Sequence, residues 1–120
     1  MPVTKMEIKS RIPFANGQVF GGVGAYEQLD GVAHFAADPN HGANETIADL
    51  GLAPRNADGL VEFSSDFRIL LPADPQLGNR RILFDVPNRG KPLALRNINS
   101  APEVTPDAPM DPGNGFLMRK

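Results

Sequence analysis

The stretch RRILFDVPNRG at residues 80–90 constrains this chain more than any other. Ile82, Leu83, Phe84 and Val86 form a short apolar run with strand character, which breaks at Pro87 and passes into a loop of Asn88, Arg89 and Gly90. A run that is apolar on both faces fits a central strand of a parallel sheet, covered above and below. Asp111-Pro112 then offers a helix start, with the sequence running to Lys120 inside that helix. Strand, loop and helix without a returning strand make half of a βαβ unit, the opening segment of a larger α/β fold.

Glycine and proline number 12 each in 120 residues, well above their roughly 12% combined share in average proteins. Many fixed turns between short elements follow, which favours strands over helices. There is no cysteine, so a disulfide scaffold, a thiolate metal site and a cysteine nucleophile are excluded within these residues. The N-terminal MPVTKMEIKSRIPF alternates polar and apolar residues and has neither a signal-peptide core nor a membrane span. A cytoplasmic location is expected. The net charge of −2 implies neither a basic nor an acidic partner. Arg80, Arg81, Arg89, Lys91 and Arg96 stand against Asp85 alone. With only Phe84 there to stack on a base, a solvated basic edge is expected rather than a nucleic-acid surface.

Four strands are expected. Residues 5–12 alternate, with Met6, Ile8 and Ile12 on one side and Lys5, Glu7, Lys9 and Arg11 on the other. Residues 26–37 form a second strand carrying Gly31, a mark of a bulge. Residues 60–71 form the clearest strand, with Val61, Phe63, Phe67, Ile69 and Leu71 sharing a face. Pro72 ends it, and Pro75 to Asn79 turn it into the fourth strand at 80–86 as a hairpin. Asn16-Gly17 and Asn56 to Gly59 are turns. Asn44 is placed to cap one helical turn through Ala48. Six prolines between 87 and 112 argue for a long loop without regular helix.

Most motifs that could carry chemistry fail on context. Gly21-Gly22-Val23-Gly24 lacks the third glycine of a dinucleotide fingerprint, since position 27 is Glu27. Residues 38–49 place oxygens at alternate positions, yet Ala43 and Asp49 stand where a calcium loop needs glycine and glutamate. His34 sits in a strand beside Phe35 and His41 in a polar loop, so no zinc site is expected. No G-x-S-x-G elbow surrounds Ser10, Ser64, Ser65 or Ser100. No nucleophile, metal or cofactor is expected within the chain. One feature remains: in a serine hydrolase of the α/β class, an N–H after the third strand helps form the oxyanion hole. Asn88, Arg89 and Gly90 occupy the corresponding place here, where Gly90 allows close backbone approach and Arg89 can meet an anion.

Several segments taken in order carry a resemblance. GAYEQLDGVAHFAADP at 24–39, NETIADL at 44–50, GLAPRNADGLVEFSSDFRILLP at 51–72, GNRRILFDVPNRG at 78–90 and DPGNGFLMRK at 111–120 make the chain similar to the N-terminal part of the bacterial alpha/beta hydrolase domain-containing proteins. That resemblance implies an α/β class: residues 1–120 are the incomplete, β-rich N-terminal portion of a single α/β-hydrolase domain, with long loops, little helix and a C-terminal helix cut short. It implies a serine elbow, an acid and a histidine outside this sequence, acting on an ester or related acyl bond of a small molecule. Residues 1–120 alone are then inactive, with no nucleic-acid or membrane partner. The alternative is a small, non-catalytic β-rich binding module.

Overall fold

A computed structural model describes residues 2–87, 89–105 and 108–120. Three strands, β1 (Val3–Pro13), β2 (Tyr26–Ala37) and β3 (Val61–Pro72), pair in the order β1-β2-β3 as an antiparallel sheet. Among the described residues the architecture is sheet-rich, with one short helix, α1 (Ala94–Asn99), and several single 3-10 turns. The chain divides into two compact units: the residues up to Ser10 with Leu29–Ile69, and Arg11–Gln28 with Leu70 onward.

In the first unit, antiparallel pairing is visible in the contacts between β2 and β3. Phe35 stacks on Phe63 with ring centroids 4.9 Å apart, and Arg68 donates to both carboxylate oxygens of Asp30. Between these pairs lies Gly31, whose hydrogen faces the Phe67 ring and the Glu7 carbonyl, where a Cβ would collide with both. The glycine of β2 therefore marks a close approach of neighbours within a continuous strand. The buried apolar residues here are Ala33, Ala36, Ala37 and Val61, while Met6 and Ile8 of β1 stay about half exposed. Small buried side chains give little transfer free energy, so ordering in this unit leans on the strand ladder and the Phe35–Phe63 stack, the exposed ion pairs adding little. The turn at 42–44 is capped by His41, whose Nδ1 accepts from the Ala43 N–H. Asn44, expected as the cap, instead lies buried and donates its amide to the Asp38 carbonyl. The expected turn at Asn56 forms, its side-chain oxygen accepting from the N–H groups of Asp58 and Leu60.

The second unit holds the larger apolar cluster. Phe14, Phe20, Leu95, Ala101 and Met118 are buried together. Phe14 and Phe20 lie 6.2 Å apart, and Tyr26 meets Phe20 edge-on at 5.9 Å. Ala15, Asn16 and Gly17 all take positive φ, which reverses the chain after β1 and returns Phe20 towards Phe14. Asn99 is wholly buried. Its amide nitrogen donates to the Pro112 carbonyl at 2.9 Å, its side-chain oxygen accepts from the Leu117 N–H at 3.0 Å, and its main-chain carbonyl accepts from the Asn114 N–H at 2.7 Å. One side chain thus ties residues 112–118 to the end of α1. Gly113 packs against the Asn99 and Ala101 backbone and Gly115 against the Phe20 ring, both in the left-handed region, leaving no room for a Cβ.

Four expectations are corrected. Residues 80–86 are not a fourth strand: among the described residues the sheet has three, and 81–87 run without strand pairing. The reason is local. Asn79 accepts from the Arg81 N–H and Arg80 takes a left-handed φ of 59°, so no hairpin with β3 follows. The half βαβ unit is likewise not formed by these elements. The helix expected from Asp111-Pro112 is replaced by a turn at Gly113 and Gly115 and a 3-10 turn at Leu117–Arg119. The proline-rich loop, in turn, holds the six-residue α1, because no proline falls between Pro92 and Pro102.

Candidate functional site

Just before the loop singled out by the sequence, Pro87 to Gly90, stands Asp85. Its carboxylate interrupts the apolar run and accepts from the Leu93 N–H at 2.8 Å and the Ala94 N–H at 2.9 Å. These are among the open donors of the first turn of α1, so Asp85 caps a helix that has no cap of its own. Sequence reading missed this role, although a lone acid in a greasy run, followed by Pro92-Leu93-Ala94, is a usable signal. The anchored loop between them passes through Arg89 and Gly90, both exposed and both at positive φ (52° and 76°). Asn88 lies outside the described residues. Beyond the loop, Lys91 pairs with Glu103 at 2.7 Å, and that hydrogen bond, reinforced by the charges of Lys91 and Arg96, lowers the Glu103 carboxyl from its ordinary pKa.

Immediately before this loop the apolar run is uncovered. Ile82 is 92% exposed, Leu83 59%, Phe84 82% and Val86 73%. Leu83, Phe84 and Asp85 form one wall of a shallow groove, and Leu93, Ala94, Asn97 and Ile98 form the other. Among the described residues, no main-chain hydrogen bond is made by residues 82–86. The segment combines backbone donors and acceptors not paired within the chain with open apolar side chains.

The remaining candidates lie apart in the sequence and take structural roles. Gly21–Val23 forms a 3-10 turn. Asp38 uses one side-chain oxygen to accept from the Asn40 N–H. His34 lies in β2 with Nε2 3.6 Å from Glu7 Oε2, and the Thr4 hydroxyl donates to its carbonyl. Glu7 itself is held at a pKa of about 2, first by its hydrogen bond from Lys9 and then by the charges of Lys5 and Lys9. Among the described residues, no group of three His, Cys, Asp or Glu side chains could hold a metal ion, and no helix is long and apolar enough to cross a membrane. Comparison of the chain with protein-family models, with curated proteins and with solved structures finds no match in any of the three.

Proposed function

We propose that this chain is the N-terminal portion of a serine-type α/β hydrolase in the cytoplasm, acting on an ester or related acyl bond of a small molecule, with nucleophile, acid and histidine supplied from outside these residues. The supporting observation is the uncovered apolar run at 82–86, which leads through a loop fixed by Asp85 into the left-handed pair Arg89 and Gly90. Such enzymes place an oxyanion donor after an apolar strand and before a helix, and in this chain an apolar segment, a backbone-open loop and the short helix α1 follow one another in that order. On this reading the N–H groups of Arg89 and Gly90 face the carbonyl oxygen as negative charge develops on it.

The coding frame past Lys120 and its product test the reading. The expected product turns over activated esters and loses that activity to a serine-directed phosphonate, whereas residues 1–120 alone turn over none. A Gly90→Pro change in the longer product removes that N–H and cannot keep the φ of 76°, so it should lower kcat by at least the roughly 10²-fold that losing one oxyanion donor costs. A frame that encodes no serine elbow, or a product inert to esters, would sink the proposal.

A second reading, a small non-catalytic β-rich binding module, draws on a different observation. The Phe14–Phe20 cluster and the Asn99 network give the second unit a packed interior of its own.

A further inference from the structure

We infer that residues 82–86 form a docking edge for an extended peptide segment that carries carboxylates on either side of a short apolar stretch. Two independent properties of the segment define this partner. The first is the unsatisfied main chain. Residues 82–86 make no main-chain hydrogen bond among the described residues, so a partner that supplies its own N–H and C=O groups at strand spacing gains a ladder here. A helix or a rigid apolar ligand would leave those groups unpaired.

The second property is charge. Arg80 and Arg81 precede the segment and Arg89 follows it, all three exposed and, among the described residues, without a carboxylate partner. The acids nearby are already engaged: Asp85 caps α1 and Glu103 pairs with Lys91. Arginines therefore stand at both ends of the segment, three of them against the one carboxylate of Asp85, which sits among Ile82, Leu83, Phe84 and Val86 and is turned towards α1. A strand with acids at its ends and β-branched residues between them is complementary on both counts. A second copy of this chain is a poor match, because it would bring arginines towards arginines. A single-stranded nucleic acid would meet only one aromatic platform and no main-chain complement. The inference does not depend on the hydrolase reading, since it names its partner by chemistry alone.

The test titrates the intact 120-residue chain with a short fluorescent peptide of alternating valine and threonine flanked by paired glutamates. A lysine-flanked peptide and an oligothymidine serve as comparisons. Binding of the glutamate peptide is expected, weakening about tenfold on Arg81→Glu with Arg89→Glu and weakening also with added salt. Leu83→Pro, which removes a main-chain donor and leaves Phe84 in place, should weaken binding with no change in circular dichroism. Amides of residues 82–86 should gain protection from exchange when the peptide is bound. Equal binding of the lysine peptide, preference for the oligonucleotide, or self-association that buries the segment and excludes the peptide would overturn the inference. Failure of the longer product to hydrolyse esters would leave it standing.

Discussion

Phe20 and Phe84 are the same residue in the same compact unit, yet one is 2% exposed and the other 82%. Both lie in apolar stretches near a turn, so composition does not separate them. What separates them is a return of the chain. After Phe20, residues 95–101 and 115–118 come back to cover the ring, held there by the buried Asn99 amide. After Phe84 the chain leaves through Asp85, whose carboxylate reaches forward to α1, and nothing among the described residues comes back over Ile82 or Phe84. Apolar residues are buried by partners, and a run without them is a surface waiting for one.

Mutations can break or sharpen this contrast. Phe20→Ala should cost about 3–5 kcal/mol in urea unfolding, the usual range for emptying a packed aromatic site. Asn99→Ala comes next, at about 3 kcal/mol, because it strands the Pro112 carbonyl and the Leu117 N–H in a buried place. Amides of residues 113–118 should then exchange faster than those of β2. Asp85→Ala should remove about 1 kcal/mol, a typical cap value, with faster exchange at the Leu93 and Ala94 amides as its local signature. Phe84→Ser should stay within about 0.5 kcal/mol of the parent, as exposed substitutions do. A loss matching that of Phe20→Ala would show that Phe84 is covered after all and end the comparison.

The smallest effect expected comes from the edge of the sheet. The folded-state pKa of Glu7, about 2, lies below its ordinary 4.5. Its contribution to stability is therefore present above pH 4.5 and lost as the pH falls towards 2. Glu7→Gln should flatten that part of the acid-unfolding curve, and a carboxyl titration by NMR with a midpoint near 4.5 would remove the ion-pair account.

The three long strands were legible from residue alternation to within two positions at each end, and the turns at Asn16-Gly17 and Asn56–Gly59 were legible from φ preference. Local chemistry sufficed there, since a pleat repeats every two residues and few side chains tolerate a left-handed turn. The candidate loop was found for its Pro-Asn-Arg-Gly composition, and Arg89 and Gly90 do take left-handed backbone. Its anchor was not found, because an aspartate capping a helix eight residues further on leaves no periodic trace.

Sequence alone determined which segments could be strands, where the chain had to turn, and that residues 82–86 are too apolar to be indifferent to water. Tertiary structure decided that Gly31 stands where Phe67 and Glu7 leave no space, that Asn99 ties together residues far apart in the chain, and that residues 82–86 lie open. Those outcomes depend on which distant groups arrive at a given point, and in a sheet that is set by pairing between strands, which the pattern of any one strand does not contain.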